Sequence, residues 1–186
     1  MNLQHINVKF FIDGELNVDL EQIINVFHRW VADQSMEELL VDVADYRHVP
    51  RAPTVVLVGH EADYAVEHSF QRAGLVYNDK LARDGANHQR FRHALASAAR
   101  ACTRLEAEFS ELRFERSQFA WSINDRGATP NSEATFAACE SLIPEVLTEV
   151  LQTDDFTLIY DRDGRHLFGA LVQLAAPLDL GQYEKP

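Results

Sequence analysis

The apolar positions of this chain change period several times, and each change marks an element. Between residues 3 and 12, Ile6, Val8, Phe10 and Ile12 alternate with His5, Asn7, Lys9 and Phe11. A two-residue period predicts a strand with one buried face, and Asp13-Gly14 ends it as a turn. From Asp19, with Gln22 three positions on as in a capping box, Leu20, Ile23, Ile24, Phe27 and Val31 recur at helical spacing to about Gln34. Residues 39–46 and 54–60 are strand-like, joined by a loop that Pro50 and Pro53 tighten. Residues 64–68 and 74–77 add short extended pieces that read as sheet edges.

Residues 84–109 carry a three-four stripe of Phe91, Leu95, Ala98, Cys102, Leu105 and Phe109, with His93, Ser97, Arg100 and Arg104 on the other side. That spacing predicts a long surface helix. Phe119, Trp121 and Ile123 alternate again, up to a turn at Asn124-Asp125-Arg126-Gly127. Asn131 or Ser132 caps a further helix over 132–152, in which Phe136, Cys139, Ile143, Val146 and Val150 recur and Pro144 predicts a kink or split. Residues 156–160 and 167–174 form a hairpin through Asp161-Arg162-Asp163-Gly164.

This order predicts an α+β fold of two β-α-β-β halves, about 1–78 and 110–176, joined by the long helix 84–109 and built mainly on antiparallel pairing. The expected organisation is one domain over 1–176, followed by a polar, poorly ordered tail over 177–186.

Composition narrows the setting. The net charge of −12 disfavours nucleic acid and anionic membrane as partners. Residues 80–104 hold six basic side chains against one acid, leaving 11 basic and 28 acidic elsewhere, a balance of −17. That basic island is expected to pair with acidic groups of the same molecule or of a partner. The N-terminus has no basic stretch followed by an apolar one, and no apolar run approaches the ~20 residues of a membrane helix, so a cytoplasmic protein is expected. Cys102 and Cys139, each within a helical pattern, read as reduced core thiols.

Four segments carry a resemblance: His5-Ile6-Asn7-Val8-Lys9; Asp42-Val43-Ala44-Asp45-Tyr46 through His48-Val49-Pro50; Gly59-His60-Glu61-Ala62-Asp63-Tyr64; and Asn124-Asp125-Arg126 followed by Pro130-Asn131. Together they resemble a family of uncharacterised bacterial proteins, a resemblance that implies no activity. The doubled β-α-β-β unit is similar in topology to the effector-binding domains of some bacterial transcription regulators. That likeness implies a cleft for small, often cationic, aromatic molecules.

The chemistry concentrates in residues 39–64. If Leu39, Val41 and Val43 share one face of their strand, Asp42 and Tyr46 share the other, and a carboxylate there needs a partner. The expected ligand site lies on the sheet face that the helices leave open, built from Asn7, Lys9, Asp42, Tyr46 and His60, with Lys9 as a partner for Asp42. Tyr64, Tyr77, Trp121 and Tyr160 are further candidates to line it. His48, His60, Glu61 and Asp45 are candidate ligands for a divalent metal, although His60-Glu61 lacks the second histidine of a zinc-protease motif. No nucleophile elbow or phosphate-cradling glycine loop is present. The expected function is binding of a small cationic or neutral molecule. A metal-dependent enzyme using the cluster in 42–63 and a homodimeric interaction subunit are the alternatives.

Overall fold

In a computed structural model, which describes residues 1–49 and 54–183, the chain forms an α+β fold. Its elements are β1 (Ile6–Ile12), α1 (Leu20–Asp33), β2 (Leu40–Asp45), β3 (Val55–Gly59), β4 (Ala62–Glu67), β5 (Gly74–Asp79), α2 (Asn87–Glu108), β6 (Phe114–Ile123), α3 (Glu133–Cys139), α4 (Leu142–Leu151), β7 (Phe156–Tyr160) and β8 (Phe168–Leu174). The expected proline-tightened loop at Pro50 and Pro53 lies outside the described residues.

One antiparallel sheet of eight strands runs β2-β3-β4-β5-β1-β6-β8-β7. In each half the last strand pairs with the first: β5 on β1, and β8 on β6. The halves meet where β1 pairs with β6. The long helix is present as α2, flanked by β-α-β-β-β-β before it and β-α-α-β-β after it. Pro144 splits the expected third helix, because it sits in the first turn of α4, where its missing N–H has no intrahelical partner to lose.

The helices cover one face of the sheet. Phe10, Phe119 and Phe168 pack there with Phe91 of α2 and Phe27 and Trp30 of α1, all buried. Asp19 Oδ1 accepts from the Glu21 N–H at 3.0 Å to cap α1. At the other end of α1, the Gln34 side chain accepts from Leu40 N (3.0 Å) and donates to Leu40 O (2.9 Å), which starts β2.

Three expectations are corrected here. First, the register slips between Leu40 and Asp42, so Leu40 is buried (2%) while Leu39 and Val41 stand 60% and 56% exposed. The bulge reverses the face that simple alternation assigns to residues before Asp42. Second, β4 and β5 are interior strands; the edges are β2 and β7. Third, the described part of the tail is docked: Leu180 is buried in a short 3-10 turn (Leu180–Tyr183), and Tyr183 O accepts from Arg100. The helix side opposite the stripe of α2 is thereby partly covered.

The basic island pairs within the molecule. Arg100 meets Glu37 at 2.9 Å, Arg83 meets Asp79 at 2.7 Å, Lys80 meets Asp63 at 2.7 Å, and His88 meets Glu149 at 3.1 Å. Cys102 and Cys139 are buried and free. Among the described residues no helix is long and apolar enough to cross a membrane.

His93 of α2 shares a polar pocket with Tyr77, whose hydroxyl lies 3.1 Å from Nε2. Burial pushes its imidazole below the ordinary value of 6.5; Arg83 and Arg100 add to that, and Asp79 and Glu37 oppose it. A histidine depressed in the folded state binds its proton preferentially when unfolded. Stability should therefore fall as pH drops below about 6.5, by up to ~1.4 kcal/mol per pH unit from this residue. Urea titrations between pH 7 and 5 should show His93→Gln losing less stability on acidification than the parent.

Candidate functional site

The face without helices carries a cavity of about 810 Å³. The pairing register arranges the open face in two rows that run across the strands, and the middle of each floors the cavity. One row reads Ala44, Val56, Ala65, Val76, Lys9, Ala120, Leu171, Ile159. Seven of these eight side chains are apolar, several of them small, and small side chains on adjacent strands leave room above the sheet. The next row reads Asp42, Val58, Asp63, Asn78, Asn7, Ser122, Gly169 and is mostly polar. The site thus offers a ligand one apolar lane and one hydrogen-bonding lane.

The charges on the floor of the cavity, Lys9 and Asp63, are already paired. Lys9 Nζ donates to Ser69 O (2.7 Å) and Arg72 O (2.8 Å) and lies 2.5 Å from Glu67 Oε1. Glu67 in turn accepts from the Ser69 N–H at 2.6 Å and from its hydroxyl at 2.7 Å. This cluster fixes the short 3-10 turn (Ser69–Gln71) over the sheet. Burial pushes the Lys9 ammonium below its ordinary range, and Glu67 opposes that shift. At Gly74 an added Cβ would come 2.4 Å from Phe10 O and 2.6 Å from the Lys9 chain, so glycine permits the close approach of β5 to β1 and leaves room for the lysine chain. Asp63, in the polar row, is held by Lys80. One polar atom of the floor is left over: Asn7 Oδ1 is buried with no hydrogen-bond partner.

The far wall is the loop between β7 and β8. Asp161, Arg165, His166 and Leu167 from this loop line the cavity, joined by Arg126 from the turn after β6. His166 Nδ1 lies 2.6 Å from Asp161 Oδ2, and Asp161 Oδ1 accepts from the Asp163 N–H at 2.9 Å. The carboxylate of Asp163 is clamped by Arg165, whose side chain holds its carboxyl well below the usual range. Two side chains bind the loop's backbone. Asn131 Nδ2 donates to Asp161 O (3.0 Å), Asp163 O (3.0 Å) and Leu167 O (3.3 Å). Arg126 donates to Arg165 O (2.7 Å) and His166 O (3.3 Å).

Of the five residues expected to bind a ligand, Asn7, Lys9 and Tyr46 line this cavity. Asp42 shares the polar row but sits at its outer end on edge strand β2, exposed, its carboxylate accepting from the Val43 N–H. It does not meet Lys9, because β3, β4 and β5 separate the two strands. His60 lies exposed in the turn after β3, and its N–H donates to Leu39 O.

The metal candidates are dispersed in the same way. Asp45 is engaged by Arg47, which holds its carboxyl down to about 2, Glu61 pairs with Arg83, and His48 is exposed. Among the described residues no group of three or more His, Cys, Asp or Glu side chains is arranged to hold a metal ion.

Of the aromatic candidates only Tyr46 presents its ring to the cavity. Trp121 touches it through the main chain, since its indole packs against Phe91 at 5.4 Å on the helix face, as Tyr64, Tyr77 and Tyr160 pack there.

No protein-family model matches this chain, and no curated protein matches it either. Its chemistry is therefore read from the cavity itself. Residues 161–167 were legible only as a hairpin turn, and Glu67 and Ser69 carried no signal of their own. The segment Asn124-Asp125-Arg126 with Pro130-Asn131 did stand out in the sequence, and its side chains bind the wall of the site.

Proposed function

We propose that this protein binds a neutral small molecule in the cavity on the open face of the sheet. The observation that carries the reading is the pair of cross-strand rows, apolar beside polar, with Asn7 Oδ1 of the polar row buried and unpartnered. A buried carbonyl oxygen without a donor costs about 1–3 kcal/mol, and a ligand N–H or O–H removes that cost. On the floor Lys9 is matched by Glu67 and Asp63 by Lys80, which favours a neutral ligand there, while Arg126 on the wall is engaged with the backbone carbonyls of Arg165 and His166. The volume suits a drug-sized molecule. The two buried free cysteines suit a reducing cytoplasm.

The test is a fragment screen by ligand-observed NMR with neutral heteroaromatic compounds that carry one N–H or O–H donor. Binders of the parent should be lost with Val76→Trp, which fills the middle of the apolar lane. They should weaken about three- to tenfold with Asn7→Ala. Binding that survives Val76→Trp in a folded variant would place the ligand elsewhere.

A further inference from the structure

The two edges of the sheet are built differently. On β2 the register slip beside Leu40 and the exposed carboxylates of Asp42 and Asp45 obstruct pairing with a further strand. β7 has neither device. Its five residues include no charge and no proline, and they pair with β8 without a slip. The Asp161 N–H donates to Gly169 O, and Asp155 O accepts from the Ala175 N–H, so the odd-numbered residues of this strand turn their backbone groups to β8. By the alternation of an antiparallel ladder, the N–H and C=O groups of Leu158 and Tyr160 point the other way, along the free edge.

A groove of about 660 Å³ lies against that strand on the helix side of the sheet, apart from the cavity on the open face. Phe156, Leu158 and Tyr160 line it from β7, facing Phe136 of α3, Glu140 just after that helix, and Pro144 of α4. Three carboxylates, those of Glu133, Glu140 and Asp154, border the groove against one cation, Arg162. Arg162 lies over the Phe136 ring at 3.9 Å and is matched by Glu133 at 3.1 Å. Glu140 and Asp154 are exposed, and among the described residues neither belongs to an ion pair. An unobstructed strand edge thus runs beside a groove that is apolar at its base and has two unmatched carboxylates at its rim.

We propose that the free edge of β7 takes up an extended segment of a partner protein as a further strand, and that this segment carries lysine or arginine at the alternate positions that face the groove. Its main chain completes the hydrogen bonds of Leu158 and Tyr160, and its cations meet Glu140 and Asp154. Its remaining side chains lie on the other face beside Ile159, which is 50% exposed, so apolar residues suit those positions. A second copy of this chain fits the edge less well. Arg162 is the one cation it brings to the groove, already matched by Glu133, and each copy carries a net charge of −12.

The probe is a short fluorescein-labelled peptide of alternating lysine and valine, with a glutamate–valine peptide as its counterpart. Fluorescence anisotropy with the full-length protein at physiological ionic strength should show binding of the first and not of the second. Glu140→Lys combined with Asp154→Lys should weaken the lysine peptide about tenfold or more, and both side chains are exposed, so the fold is kept. Leu158→Pro removes one outward N–H that the ladder with β8 does not use, and should weaken binding about three- to tenfold. If that variant does not fold, hydrogen exchange of the parent decides, since the Leu158 and Tyr160 amides should become protected only when the peptide is added. The proposal is overturned if the lysine peptide does not bind, binds equally after both charge reversals, or leaves these amides unprotected. It is also overturned if the amides are protected without peptide and light scattering gives a dimer of the 21.1 kDa chain, because a second copy then occupies the edge.

Discussion

Lys9→Met should lower the unfolding free energy by about 3–5 kcal/mol, measured as a shift of the urea midpoint at unchanged slope. Methionine matches the lysine chain in length, so packing is nearly kept, and what is lost is the charge. Glu67 then remains in a half-buried site without its cation, and the carbonyls of Ser69 and Arg72 lose the lysine's hydrogen bonds, Ser69 O keeping the Arg72 N–H at 3.3 Å. The cost is that of stranding these groups and not of losing a surface ion pair, which would be at most about 1 kcal/mol. The double variant Lys9→Met, Glu67→Gln should recover part of the loss, because it removes the orphaned charge. A loss below about 1 kcal/mol in the single variant would show that the cluster does not hold the turn at Ser69.

Trp121→Ala should cost a similar ~3–5 kcal/mol by the other principal route, a cavity in a closed core. The indole is buried and meets the edges of Phe91 (5.4 Å), Phe168 (5.6 Å) and Tyr160 (6.5 Å). Its Nε1 has no hydrogen-bond partner, so the ring is held by packing alone. Trp121→Phe, which removes the unsatisfied N–H along with part of the volume, should therefore cost much less than alanine. Both variants change the helix face only. At a temperature where they remain folded, fragment binding on the opposite face should match the parent, and a parallel loss of binding would contradict the separation of the two faces.

How much of this was legible depends on whether local pattern or distant contact decided each feature. The alternation in β1 and β6 and the stripe of α2 are local, and they fixed both the strand faces and the helix. From them the open face of the sheet and the places of Asn7 and Lys9 on it could be read. The pattern in 39–43 was just as regular, yet it misled. There the face is set by the Gln34 carboxamide gripping both backbone groups of Leu40, six residues away, and by the slip beside it. Asp42 itself stays on the open face, but at the sheet's outer end, because β2 is an edge strand. The partner of Lys9 was misassigned because strand order is not a property of any window; Glu67 reaches it only because β4 and β5 intervene between β3 and β1. The contact between Asp161 and His166 was hidden for the same reason. Asp161 and His166 lie five positions apart in what reads as a turn, and the residues that give that turn its shape, Arg126 and Asn131, come from another part of the chain.

The position of β1 at the seam between the halves has a consequence for synthesis on the ribosome. Once Asp79 has emerged, β1 to β5 can pair as a five-stranded sheet, but the other edge of β1 stays bare until Phe114–Ile123 arrives. At translation speeds of ~5–20 residues per second, the 44 residues from Asp79 to Ile123 leave that edge unprotected for ~2–9 s. During this interval α2 is made and can cover the helix side of β1 and β5, which it contacts in the finished protein. It does not cap the strand's hydrogen-bonding edge. A nascent chain halted just after Glu108 would therefore present the most template-like edge the protein ever has, and would be the form most in need of a chaperone.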